Sequence, residues 1–89
     1  MDEMRRDAAR GAELSRFLNS EPVGAALTIA RAGIYDRWAN SETVMAREEA
    51  HAEHKALERL MDAFNEIQNS GVLAQETLKA MDDELSDRL

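Results

Sequence analysis

The stretch Glu48-Glu49-Ala50-His51-Ala52-Glu53-His54 gathers the side chains of this chain best suited to hold a metal ion. Glu-x-x-His on a helix sets a carboxylate and an imidazole on one face, the ligand spacing of di-iron carboxylate bundles, and Glu48 with His51 fits it. Such a centre also needs inward carboxylates from other helices. The preceding helical segment offers only Glu21 and Asp36, neither on its apolar stripe. Helical phasing sets Glu48 and His51 on the face away from the expected core, so no metal and no cofactor are expected unless several copies build a shared site. His54, at the edge of the apolar stripe, reads as a packing or hydrogen-bonding residue, with a pH-sensitive contact as the functional alternative. Ser15, Ser20, Ser41, Ser70 and Ser86 read as turn, cap or surface residues without a paired base. No glycine-rich phosphate cradle is present. These absences point away from an enzyme.

The elements that would position these residues are helical. Proline occurs once and clusters of β-branched residues are nearly absent. Four helices are expected: about Asp2 to Leu18, Glu21 to Ala39, Glu42 to Asn69, and Val72 to Leu89. The first half of the first helix is mixed charge and alanine and is expected to fray. Asn19 or Ser20 suits the cap of the second helix, and Pro22 suits its first turn, where a missing N–H costs nothing. Ser41 is the expected cap of the third, and Gly71 its expected stop. The two-residue break at Asn40-Ser41 predicts that the second and third helices fold back as an antiparallel hairpin. The fold class read from the sequence is therefore all-α: a hairpin of about 21–39 and 42–69 with flanking helices. It forms one domain over 1–89, with 1–19 leading, 20–70 as core and 72–89 closing as an amphipathic acidic helix.

At 100° per residue, the second helix gathers Val23, Leu27, Ile34 and Trp38 on one stripe, with Ile29, Ala25 and Ala32 on a weaker second strip. The third gathers Leu57, Leu60, Met61, Phe64 and Ile67. Extended backward, that stripe meets Glu53, Glu49 and Glu42 among Ala46 and Ala50. Arg31 lies on the facing stripe, and a turn at 40–41 sets it opposite residue 50. This predicts a polar pair of Arg31 with Glu49, Glu53 or both, arginine's fork being suited to a carboxylate. The alternative is that all three stay in water. Gly24 and Gly33 inside a helix cost about 1 kcal/mol each relative to alanine, and either permit close helix approach or are tolerated.

Composition narrows the function classes. The 89 residues suffice for one small domain with a thin core, which partners or self-association often complete. Only Phe17, Tyr35, Trp38 and Phe64 are aromatic. Absence of cysteine removes disulfides and thiolate zinc sites and fits a reducing, cytoplasmic location. No secretory signal and no membrane span are seen. The net charge is −7, and residues 41–89 carry all of it, since the six acids and six arginines of residues 1–40 cancel. An acidic chain lacks the basic footprint of direct nucleic-acid binding and suits an anionic membrane poorly.

Ile29, Tyr35 and Trp38 are therefore the candidate partner contacts, if the second strip of the second helix stays exposed. Asp82, Asp83 and Glu84 form either a solvated face or a docking cluster for a basic partner. Met45, Met61 and Met81 either fill core gaps or make an adaptable surface.

Leu18, Pro22, Ala25-Ala26-Leu27, Ile34, Trp38, Ser41, Arg47-Glu48, Ala56-Leu57, Leu60, Phe64, Ile67, Gly71 and Leu73-Ala74 follow one another in an order that resembles a known group. It is that of small helical proteins encoded near the head-assembly and DNA-packaging genes of tailed phages and prophages. The resemblance spans residues 18–75. It departs from the pattern at Val72, where a basic residue is expected, and in the acidic C-terminal extension. It implies an auxiliary, oligomeric component of capsid assembly or DNA packaging, found in the host cytoplasm or the virion. A small-terminase-like assembly core without its DNA-binding part is one version. The expected function is thus a non-catalytic assembly or adaptor protein, acting on a protein partner, on itself as a homo-oligomer, or on both. The alternative is an acidic DNA-mimic inhibitor of a nucleic-acid-binding protein, an anti-defence role in which spaced carboxylates imitate phosphates.

Overall fold

The computed structural model describes residues 2–88. Among them there are three helices and no strand: α1 (Asp2–Leu18), α2 (Glu21–Ala39) and α3 (Val44–Arg88). The all-α class expected from the sequence holds. Met1 and Leu89, at the outer ends of the first and last expected helices, lie outside the described residues.

The break between α1 and α2 falls where the punctuation predicts it. Ser20 stands at the N-cap with extended backbone (φ −70°, ψ 145°), and Pro22 occupies the first turn. The Ser20 carbonyl accepts the Gly24 N–H at 3.0 Å, while its hydroxyl makes no capping bond. The break between α2 and α3 spans 40–43, longer than expected. Ser41 does not cap α3. Its Oγ donates to the Trp38 carbonyl at 2.7 Å, and Asn40 Nδ2 donates to the Asp36 carbonyl at 2.9 Å, so both close the end of α2. The cap of α3 is Thr43, whose Oγ1 accepts the Ala46 N–H at 3.0 Å and whose carbonyl accepts the Arg47 N–H at 3.1 Å. Glu42 accordingly lies before the helix rather than in its first turn.

The expected fourth helix does not exist as a separate element. α3 runs 45 residues without interruption through Asn69, Ser70 and Gly71. A glycine stop requires left-handed backbone, and no glycine here has a positive φ. The physical reason is packing. A methyl built on Gly71 would stand 2.8 Å from the Cα of Gly11 and 3.0 Å from the Asp7 carbonyl oxygen. One built on Gly11 would stand 2.9 Å from the Gly71 Cα and 3.3 Å from the Ile67 carbonyl oxygen. The two glycines are therefore the point at which α1 and α3 touch backbone to backbone. Gly24 and Gly33, the glycines singled out by the sequence for close approach, do not serve it: the first has nothing within 4 Å of a built methyl, the second only the Arg37 guanidinium at 3.3 Å.

The chain divides into two compact units. One comprises Met1–Phe17 with Phe64–Leu89. Here Gly11 meets Gly71, and Gln68 Nε2 donates to Ser15 Oγ at 3.1 Å in a part-buried bond between α1 and α3. The other comprises Leu18–Ala63 and holds α2, the turn and the first part of α3.

Burial along α3 follows a seven-residue row: Ala50, Leu57, Phe64, Gly71 and Leu78 are all shielded. A seven-residue period marks coiled-coil-like packing, and it slips about 20° per heptad from a straight-helix projection. Among the described residues those that are buried, Gly11, Ala50, Gly71 and Ala74, are all glycine or alanine. Among the described residues no large side chain is fully buried.

Candidate functional site

A groove of about 900 Å³ opens in the unit Leu18–Ala63. α2 lines it with Arg31, Ile34, Tyr35 and Trp38. α3 lines it with Ala50, His51, His54, Leu57, Glu58, Met61 and Asp62. The shielded residues of the groove, Ile34, Ala50, Leu57 and Met61, are apolar. Its rim is charged.

The aromatic pair dominates the α2 side. Tyr35 and Trp38 sit three residues apart, one helical turn, and their ring centroids are 6.3 Å apart with planes inclined at 39°. Offset, tilted aromatic pairs of this kind are favourable beyond the area they bury. Yet Tyr35 is 66% and Trp38 50% exposed. Trp38, placed by the sequence on the core stripe, thus stands on the groove wall. Tyr35 joins it there. Ile29 is exposed as well but lies outside the groove.

The predicted polar pair forms differently. Glu53 pairs with Arg37, one turn and more beyond Arg31, and both partners are about half exposed. An ion pair so accessible to water contributes at most about 1 kcal/mol. Arg31 has no ion pair with Glu49 or Glu53 among the described residues and instead lines the groove. Glu49 is exposed, off the shielded row. The stripe extended backward holds Ala50 with Glu49 and Glu53, and of these only Ala50, on the seven-residue row, is buried.

Of the two histidines, His51 differs from expectation. His51 was set on the outer face by the same projection, and it lines the groove beside His54. His54 Nε2 lies 2.9 Å from Glu58 Oε1, one turn on, and Lys55 Nζ is 3.9 Å from the other oxygen of that carboxylate. Among the described residues no three of His, Cys, Asp or Glu gather as a metal-holding group. Glu48 is exposed and is not among the groove residues.

Asp82, Asp83 and Glu84 are exposed on α3 in the other unit. Met61 lines the groove, while Met45 and Met81 are exposed outside it. A smaller cleft of about 190 Å³ in that other unit is edged by Asp7, Arg10, Glu66, Ile67 and Ser70.

Sequence reasoning missed Asp62 and Glu58 as groove residues and Ser15 as a part-buried hydrogen-bonding residue. Glu58 repeats the position of His51 seven residues on, whereas Asp62, five residues past Leu57, projects nearly opposite the seven-residue row and carries no such signal. Nor does Ser15, since only the close approach at Gly11 and Gly71 brings Gln68 to it.

Among the described residues no helix is long and apolar enough to cross a membrane. Comparison with protein-family models, with curated proteins and with solved structures found no match to this chain.

Proposed function

We propose that this chain is a non-catalytic helical assembly protein whose working surface is the groove between α2 and the start of α3. In this reading the two helices act together as an antiparallel hairpin, and protein covers their open face. The carrying observation is the exposure of Tyr35 and Trp38 beside the apolar residues of the groove, in a chain whose buried residues, among those described, are all glycine or alanine. Aromatic side chains with two rotatable angles, standing at a groove of this size, are the usual anchors of protein interfaces. The hydrophobic effect favours covering them, by about 25 cal/mol per Å² of apolar surface removed from water. The resemblance of residues 18–75 to phage proteins adds a setting: a component of capsid assembly or DNA packaging, in the host cytoplasm or the virion.

The test is photo-cross-linking in the native setting, with benzoylphenylalanine in place of Tyr35. A second variant carries the same group at Lys79, which is exposed in the other unit. Discrete protein adducts from position 35 and none from position 79 are expected. No adduct at 35, or equal adducts at both, overturns the assembly reading. Head or packaging proteins among the adducts, or a second copy alone, decide whether the phage setting holds.

A further inference from the structure

We infer that the occupant of the groove is α3 of a second copy, laid in by its outer face, Met45, Glu49, Ala52, Ala56 and Arg59. This rests on the assembly reading above, with its hairpin, and names the partner. Three observations carry it.

The first is the chemistry of the walls. Both are helices, whose backbone N–H and C=O groups bond within each helix, so the groove offers no strand edge to an incoming chain. An extended segment laid here would leave its own backbone groups unpaired, while a helix arrives with them already paired. The groove also has the form of a seat for a third helix. Trp38, Arg31 and Tyr35 project about 40–100° from Ile34, and in the same sense Met61, His54 and Glu58 project about 40–100° from Leu57.

The second is charge. Arg31 stands on the α2 wall and Asp62 on the α3 wall. Glu49 and Arg59 are exposed on α3 outside the groove. None of the four has an ion-pair partner among the described residues. Arg31 lies nine residues before the break at 40–43, level with residue 52, nine past it. Asp62 is ten residues beyond that level, about 15 Å further along the groove at 1.5 Å per residue. Glu49 and Arg59 are also ten residues apart. A second α3, running away from the turn as the first does, therefore sets Glu49 against Arg31 and Arg59 against Asp62 at once. Glu58 adds a second carboxylate for Arg59, though His54 and Lys55 already approach it.

The third is the fit of the apolar residues. Ten residues turn a helix to within about 80° of its starting direction, so Glu49 and Arg59 border one face. Met45, Ala52 and Ala56 project within that face, and all three are exposed. In this register Met45 comes level with Tyr35, where its sulfur suits the aromatic pair. Ala52 and Ala56 fall to either side of Leu57, and their small side chains let the incoming backbone approach. One helix face thus covers the aromatic wall, Leu57 and both charged positions. A copy seated by its outer face keeps its own groove open, so the contact is heterologous and repeats from copy to copy.

The test uses the purified full chain. Its native mass is measured by light scattering from micromolar to submillimolar concentration, with fluorescence of the single tryptophan, Trp38, followed in parallel. A mass rising past two copies is expected, with emission moving to shorter wavelength as Trp38 leaves water. Arg31→Glu and Glu49→Arg are then made separately. Each sets like charges against one another at every contact, and its dissociation constant should rise about tenfold or more. In an equimolar mixture each groove meets a complementary face on the other variant, and association should return to the wild-type level. Mixing cannot restore a pair made within one chain, and a misfolded variant is not rescued by its complement. Asp62→Arg and Arg59→Glu should behave alike at the other end of the contact.

A strictly monomeric wild type overturns the inference. So does an association that stops at two copies, one indifferent to these reversals, or a mixture no tighter than its components. A monomer whose position 35 nevertheless cross-links to a different protein overturns only the second copy as occupant, and the assembly reading stands.

Discussion

Gly11 and Gly71 show how the cost of a small residue depends on what faces it. Glycine in a helix gives up about 1 kcal/mol relative to alanine. At Gly24, nothing lies within 4 Å of a built methyl, so Gly24→Ala should recover about 0.5–1 kcal/mol. At Gly71 the same change drives a methyl to 2.8 Å from backbone Cα of α1, an atom that cannot rotate away. Over-packing of this kind costs about 1–3 kcal/mol and outweighs the gain in helix propensity. Urea unfolding should therefore move the midpoint up for Gly24→Ala and down for both Gly71→Ala and Gly11→Ala. Equal stabilisation by all three would show that α1 and α3 do not touch there.

α3 is where the sequence and the structure part most sharply, and Gly71 is again the reason. Asn69-Ser70-Gly71 has the composition of a helix end, and local chemistry alone offers no ground to read it otherwise. What keeps the helix going is contact with α1, 60 residues earlier in the chain, and a local pattern carries no record of that. The elements fixed by short-range chemistry were legible: Ser20-Glu21-Pro22 begins α2, and Asn40-Ser41 ends it. The candidate site was legible in its apolar half, Ile34, Trp38, Leu57 and Met61, because apolar spacing reports a shared face. Its polar half was not: Glu49 and Glu53 project onto the same stripe as Ala50, about 20° of drift per heptad favours Ala50 over Glu49, and His51 borders the groove while remaining exposed. An uninterrupted α3 has a consequence that a stopped one does not. Proline just past a helix end is tolerated, whereas inside a helix it removes a hydrogen bond and strikes the preceding turn, at about 3 kcal/mol. Val72 is half exposed and lies inside α3. Val72→Pro should therefore lower both helicity by circular dichroism and unfolding stability by roughly that amount. A variant as stable as the wild type would restore the reading of a stop at Gly71.

Two terms of opposite sign bear on the molecule as a whole. Apolar side chains left in water favour association, since Tyr35, Trp38 and the groove beneath them gain by being covered. The charge of −7, all from residues 41–89, opposes it by repulsion between like copies. Salt separates the two. It screens exposed charges beyond about 8 Å at physiological ionic strength, and it does not weaken apolar burial. Association through the groove should therefore hold or strengthen as salt rises. Attraction of the acidic surface to a basic, nucleic-acid-binding partner, the DNA-mimic alternative, should collapse under the same change. Association also feeds back on folding, because a partner that binds only the folded chain raises apparent stability by mass action. The thermal midpoint of the pure protein is thus expected to climb with protein concentration, and to do so at high salt as well as low. A midpoint independent of concentration in both conditions would mean that no second copy covers the groove in the isolated protein. A concentration dependence that vanishes in salt would assign the contact to charge rather than to Tyr35 and Trp38.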